Sequence, residues 1–308
     1  MKILIIGVSG FIGRELAKEL VSAGHEVTGL SRSPGKAGVL TGAGTKIREW
    51  DGFSVKELVP LLEGMDGVVN LAGENIAAGL WTRSRKQQLS DSRVGTGRAL
   101  ADALLQLSGK PAFLMQGSGI GYYGPHPSGT MDEESGPGAG FLADLVSRWE
   151  AVVAPVIETG IRTVILRSGI VLGTSGGMMP KLLQPFRFYT GTVPGNGRQW
   201  ISWIHIRDHV AAIRFLSESP AASGPYNLVT DAPVTMGDLV RKISEETGRP
   251  AWLKIPPILL KAGMGEMARE TILASQRVRP AKLQEHGFAF RYPEIGGAIH
   301  DLLSPSTL

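Results

Sequence analysis

The most constraining residues of this chain stand at its start. Ile3-Leu4-Ile5-Ile6 is a continuous apolar run, the pattern of a parallel strand covered on both faces. It ends in Gly7-Val8-Ser9-Gly10-Phe11-Ile12-Gly13, after which Leu16, Leu20 and Val21 continue from Ile12 at helical spacing. Strand, glycine turn and helix in that order predict a Rossmann-type, doubly wound parallel α/β sheet. Small residues at 7, 10 and 13 let the backbone turn tightly, let a diphosphate approach the amides at the helix N-terminus, and let the helix pack closely on the strand. A glycine turn can also be purely structural; its place between a buried strand and an amphipathic helix selects a dinucleotide site on Gly7, Ser9, Gly10, Phe11, Ile12 and Gly13.

The end of the second strand, Glu26 to Arg32, bears on the choice of cofactor. An acid there would accept hydrogen bonds from ribose hydroxyls, whereas a cation with a hydroxyl would receive a 2′-phosphate. The chain offers Ser31, Arg32, Ser33 and Lys36, with no acid between Glu26 and Glu49. NADP is therefore expected over NAD, against the plainer reading of Arg32 as a solvated loop residue. Further strands are expected at Lys46 to Trp50, Asp66 to Gly73 and Pro111 to Gln116, with helices at Ser54 to Glu63 and Arg83 to Leu107. Leu71, Ala72 and Gly73, small or apolar at a strand's carboxyl end, form a second cofactor segment.

Composition closes off other classes. With 43% hydrophobic and 19% charged residues in 308, the chain is an ordinary globular one, and its net charge of +4 carries no long basic run to argue for nucleic acid. Zero cysteines exclude disulfides and thiolate metal sites. The apolar run at the start is too short for a signal peptide, and nothing approaches a membrane span of about 20 residues. The expectation is a cytoplasmic protein with a small-molecule substrate and neither nucleic acid nor membrane as partner; oligomeric state is not readable.

The glycine turn, Asn70-Leu71-Ala72-Gly73-Glu74-Asn75-Ile76 and Gly117-Ser118-Gly119-Ile120-Gly121-Tyr122-Tyr123-Gly124 together resemble the extended short-chain dehydrogenase/reductase superfamily. Trp203-Ile204-His205-Ile206-Arg207-Asp208, Ser275-Gln276-Arg277-Val278 and Gly287-Phe288-Ala289-Phe290 narrow the resemblance to its atypical branch, the NAD-dependent epimerase/dehydratase or sugar-nucleotide epimerase-like proteins. The resemblance implies a Ser or Thr after strand five and a Tyr-x-x-x-Lys pair on the next helix. Counting back from Glu150, which resembles the family's glutamate, those two positions hold Leu142 and Val146, and neither can transfer a proton. Ser118 remains, with Tyr122 or Tyr123 as proton donor if Arg93 lowers the phenol pKa; the alternative is that both tyrosines only pack. The resemblance also implies that Gln88 and Arg93 face the dinucleotide and that Arg167 and Val171 pass its nicotinamide end.

In the second half, Arg187, Arg198, Trp200 and Trp203 surround a Gly-rich turn and suit a diphosphate and a flat ring. His205 and His209 have the spacing of a zinc pair but lack the neighbouring Glu and third ligand, and Asp208 reads as a helix N-cap. Asp132-Glu133-Glu134 beside a Gly-Pro loop reads as solvated. The expected division is a Rossmann domain over 1–172 and a smaller C-terminal α/β substrate lobe over 173–308, with chain crossings between them. Two functions follow: an NADP(H)-dependent oxidoreductase or epimerase-like enzyme transferring hydride to a small carbonyl, alcohol or nucleotide-sugar, or an NADP(H)-binding regulatory or interaction protein without chemistry.

Overall fold

The computed structural model describes residues 1–126 and 128–304, with the side chains of Lys36 and Leu40 outside the description. The chain forms two compact units that are discontinuous in sequence. Unit 1 comprises Met1–Ser118, Leu145–Arg167 and Val210–Tyr226; unit 2 comprises Gly119–Asp144, Ser168–His209 and Asn227–Leu308. The chain thus leaves the first unit already at Gly119, well before the expected change at 172.

Unit 1 begins with β1 (Lys2–Ile6), α1 (Phe11–Ser22), β2 (Glu26–Ser31), α2 (Pro34–Thr41), β3 (Thr45–Glu49), α3 (Val55–Leu62) and β4 (Gly67–Asn70). It continues through α4 (Arg83–Ser90), α5 (Thr96–Gln106), β5 (Phe113–Gly119), α6 (Phe141–Ala151), α7 (Ala154–Ile157) and β6 (Arg162–Ser168). Short strands β7 (Ile170–Leu172), β8 (Thr192–Pro194), β9 (Trp200–Ile201) and β10 (Trp203–His205) precede β11 (Gly224–Leu228), which completes a seven-stranded sheet of order β11-β6-β5-β4-β1-β2-β3. The order reverses between β1 and β4, so the connections leaving their carboxyl ends run in opposite directions and leave a crevice where doubly wound sheets take ligands. β1 runs parallel to both β2 and β4, with Ile6 opposite Leu30 and Asn70.

The strands form because their side chains are apolar on both faces: Leu4, Ile6, Val68 and Leu114 are buried against Leu58 and Leu62 of α3 and Leu100 and Leu104 of α5. Ser54 caps α3 by accepting the Glu57 amide at 3.4 Å. The expected polar helix over 83–107 is interrupted: a π-helical turn over Asp91–Gly95 separates α4 from α5 and carries Arg93, which is buried. Such turns occur mostly at functional positions.

Unit 2 has its own core, in which Trp203, Phe186, Leu239, Ile243 and Ile299 are buried, and the Trp203 indole donates to the Ala232 carbonyl at 2.9 Å. Two expectations are corrected here. The helix expected after Asp208 begins at Ile206, and the Asp208 carboxylate accepts the amides of Arg291 and Tyr292, both at 2.9 Å, tying distant chain rather than capping its own helix. Glu133 is 6% exposed instead of solvated, because its Oε1 accepts the Asn227 amide at 2.9 Å; burial raises its pKa.

Candidate functional site

The glycine turn is held by contacts that tolerate no side chain. Gly7 has φ +83°, and a Cβ on it would lie 2.9 Å from the Leu71 carbonyl, while a Cβ on Gly13 would lie 2.3 Å from the Gly7 oxygen. The turn is therefore clamped between β4's continuation and the first turn of α1. Gly10 precedes α1 with no side-chain cap, so the helix presents its first amides and positive dipole end to whatever lies above them.

Above this turn, within unit 1, lies a cavity of about 580 Å³. Its walls include Gly7, Ser9 and Gly10 from the turn, Ser31 and Arg32 from the end of β2, Leu71, Ala72 and Gly73 after β4, and Gln88 from α4. Phe11, Ile12 and Gly13 stand behind that wall: Gly13 is buried as the packing contact, and the Arg14 guanidinium covers the Phe11 ring at 5.9 Å. Trp50, Asp51 and Phe53, after β3, complete the far side together with Glu74 and Arg85. Trp50 to Phe53 were findable, since any loop following the carboxyl end of a strand near the crevice is a candidate. Glu74 and Arg85 carried no local signal.

Arg32 is 73% exposed and ion-paired to Glu74 at 3.2 Å, and Glu74 also lies 3.6 Å from Arg85. An exposed pair of this kind holds by about 1 kcal/mol or less, so a phosphate could draw Arg32 away at small cost. Lys36, named beside Arg32, has its side chain outside the described residues.

Arg93 does not line the cavity. Its guanidinium is buried behind the wall, donating to the carbonyls of Leu89 at 3.3 Å and Glu74 at 3.0 Å and lying over the Trp149 ring at 5.3 Å. Burial lowers its pKa to about 10, so it stays charged at neutral pH. It thereby holds the backbone at Glu74, beside Gly73 of the cavity wall.

Arg167 is paired with a carboxylate. Its Nε and Nη2 each donate to the Glu150 carboxylate at 2.9 Å, and Ser118 Oγ donates to the same carboxylate at 2.5 Å. Arg167 is 4% exposed and Ser118 8%. A bidentate, dehydrated pair of this kind fixes its geometry strongly. The Ser118 proton is committed, which leaves its oxygen to accept a hydrogen bond from a ligand rather than donate one.

In unit 2, Tyr123 is buried with Ile120, Met131, Val229 and Val278, and its hydroxyl donates to Asn227 at 2.8 Å. That hydroxyl is a core anchor, not a group standing in a cleft. Tyr122 is half-buried and meets the Tyr123 ring edge-on at 5.3 Å. Leu142, 7% exposed, and Val146, 4% exposed, occupy the Tyr and Lys positions as apolar packing. Val171 is buried in β7, paired with Ile204 of β10.

His205 and His209 belong to no group of three potential metal ligands among the described residues. His209 is fully buried and contacts Ser168 Oγ at 2.8 Å through Nε2, and burial pushes its pKa down to about 3. His205 falls to about 4, chiefly by burial. A second cavity of about 590 Å³ lies in unit 2, lined by Arg198 and Trp200 as expected and also by Asn196, Lys261 and Arg269. Trp203 belongs to the core and Arg187 is exposed at the end of the helix Met179–Phe186.

Residues 3–229 match the NAD dependent epimerase/dehydratase family, and residues 255–302 a domain of unknown function, DUF1731. The chain belongs to that epimerase/dehydratase family. It is 36% identical over 298 residues to the epimerase family protein MT2273 of Mycobacterium tuberculosis, covering 96% of each chain. The crystal structure of human epimerase family protein SDR39U1 with NADPH superposes with a TM-score of 0.86 at 31% identity, over 98% of this chain and 99% of the human one. The nucleoside-diphosphate sugar epimerase of Corynebacterium glutamicum superposes with a TM-score of 0.78 at 31% identity, over 98% of this chain and 58% of its own.

Proposed function

We propose that this protein binds NADP(H) in the cavity of unit 1 and transfers hydride between the nicotinamide and a small carbonyl, an alcohol or a nucleotide-linked sugar. The observation that carries the reading is the cavity itself: its floor is a glycine turn at an uncapped helix N-terminus, and its rim bears Ser31 and Arg32. Those features fit the cofactor. The turn would hold the diphosphate, Arg32 and Ser31 the 2′-phosphate, and Leu71, Ala72 and Gly73 would let the dinucleotide pass close to the backbone. The NADPH in the human relative's crystal structure supports the same choice. Bound nicotinamide supplies a hydride donor or acceptor.

The protein's own contribution is to orient. Ser118, its proton held by Glu150, offers an acceptor to a substrate hydroxyl, and the Tyr123 hydroxyl, which donates to Asn227, drops out as a proton donor. Arg198, Lys261 and Arg269 around the second cavity supply the positive charge a nucleotide diphosphate requires.

One observation favours a second reading, an NADP(H)-binding regulatory protein without chemistry. Apolar Leu142 and Val146 stand where the family's proton-transfer pair stands, and both are buried. Titrating the cofactor-free protein with NADPH, NADP and NADH, then following NADPH oxidation on a panel of carbonyls and nucleotide-sugars, separates the two. Selective NADPH binding with turnover establishes the enzyme, and binding without turnover favours the regulator. Arg32→Asp should weaken NADPH at least tenfold more than NADH by setting a like charge against the phosphate; equal loss for both cofactors overturns the assignment of Arg32.

A further inference from the structure

Half of the large apolar side chains exposed among the described residues lie in two short segments of unit 2: Phe188, Tyr189, Trp252, Ile255, Ile258 and Leu259. The rest are scattered along the chain. The two segments adjoin, because β8 pairs in parallel with the strand Leu253–Ile255, and the Trp252 indole donates to the Tyr189 carbonyl at 3.1 Å. Phe188 and Ile258 are each 73% exposed and Trp252 65%. Tyr189 has φ +57°, the one non-glycine in the left-handed region among the described residues. That conformation closes the helix Met179–Phe186, where the Tyr189 and Thr190 amides donate to the carbonyls of Phe186 and Pro185, and it leaves the Phe188 and Tyr189 rings exposed to water.

The charge within the two segments is of one sign. No Asp or Glu occurs between Glu158 and Asp208, nor between Glu246 and Glu266. Lys181, Arg187, Lys254 and Lys261 are exposed there, and the Arg249 guanidinium lies over the Tyr189 ring at 5.1 Å. Within these segments the cations flank the exposed apolar side chains.

We propose that this face docks on an anionic lipid surface, with Phe188, Trp252, Ile258 and Leu259 entering the interface and Arg187 and Lys254 meeting the headgroups. Aromatic rings with one apolar body and one polar edge favour the membrane–water interface, and flanking cations add attraction to an anionic leaflet. A second copy of the chain fits less well: an isologous contact would set the same cations against themselves. No helix among the described residues is long and apolar enough to cross a membrane, so the docking is at the surface. It is independent of the hydride-transfer reading.

The test uses the full chain with vesicles of phosphatidylcholine alone or mixed with phosphatidylglycerol. Wild-type protein should co-sediment with the anionic vesicles and not with the neutral ones, and raising the salt should weaken the binding. The double variant Ile258→Ser, Leu259→Ser and the single variant Lys254→Glu should each lose at least tenfold in vesicle affinity. Unchanged circular dichroism and urea midpoints in both variants verify that the fold is retained. In wild type, brominated phosphatidylglycerol should quench a fluorescence component that Trp252→Phe removes. Binding indifferent to lipid charge, absence of vesicle binding, or a doubling of solution mass that the Ser variant abolishes would each overturn the proposal, the last by assigning the patch to a second copy.

Discussion

Acid should unfold this protein in large part by charging His209, and the size of the effect follows from where the ring sits. An unfolded histidine titrates near 6.5, whereas burial with no facing carboxylate holds the folded His209 near 3. Between those values the unfolded chain binds a proton that the folded chain refuses, so stability is present above 6.5 and lost as the pH falls toward 3. At about 1.4 kcal/mol per unit of pKa difference, lowering the pH from about 7.5 to about 5 costs roughly 2 kcal/mol through this one ring. His205, folded near 4, loses a similar amount by the same logic. Together they remove a sizeable share of a typical stability of about 5–15 kcal/mol. Glu133 and Asp208 act in the opposite sense: burial raises their pKa, so the folded chain takes up their protons readily and the acid loss is softened.

Comparing variants isolates the ring. His209→Leu forfeits the contact with Ser168, worth about 1 kcal/mol at neutral pH, but it also removes a buried Nδ1 that has no hydrogen-bond partner among the described residues. Its stability should therefore fall by about 2 kcal/mol less than wild type between the two pH values. Urea midpoints followed by tryptophan fluorescence at both pH values measure this. If wild type and variant show the same pH dependence, His209 titrates as a solvated residue and the argument from burial is wrong.

Two further perturbations probe the framework around the candidate site. Arg167→Ala leaves the Glu150 carboxylate buried without its cation and should cost about 3–5 kcal/mol in urea unfolding, while Glu150→Gln in the Arg167→Ala background should recover part of that loss; no recovery would show that the cost is lost packing rather than stranded charge. Gly13→Ala places a methyl 2.3 Å from the Gly7 oxygen and should weaken NADPH by more than tenfold, whereas Gly35→Ala, with nothing within 4 Å, should leave the titration unchanged.

The parts of the molecule legible in the sequence are those written locally. The run from Ile3 to Gly13 encodes a strand, its turn and the start of a helix within a dozen residues, and the strand ends fall within a few residues of expectation. The π turn at Asp91–Gly95 was hidden because one wider turn barely disturbs a helical period. Chain crossings were expected, but their positions were hidden because the chain changes partners in mid-element: α6 begins in unit 2 and ends in unit 1, and only tertiary packing decides where.

What fails to transfer from a resemblance is the ownership of protons. Ser118, Tyr123 and Arg167 are reactive residue types on a segment that the family uses for chemistry, and each was matched to a ligand on that ground. In the folded chain the Ser118 hydroxyl and the Arg167 guanidinium donate hydrogen bonds to Glu150, 32 and 17 residues away, and the Tyr123 hydroxyl donates to Asn227, 104 residues away. None of these pairings has a local pattern, because a hydrogen bond between distant residues requires only that the backbone bring them within reach. The glycine turn survives the comparison for the opposite reason: its function is steric and is performed by the backbone, which the sequence specifies nearby. A catalytic assignment for this chain therefore has to begin from the donors still able to turn toward a ligand, with the lone pairs of Ser118 counted as acceptors.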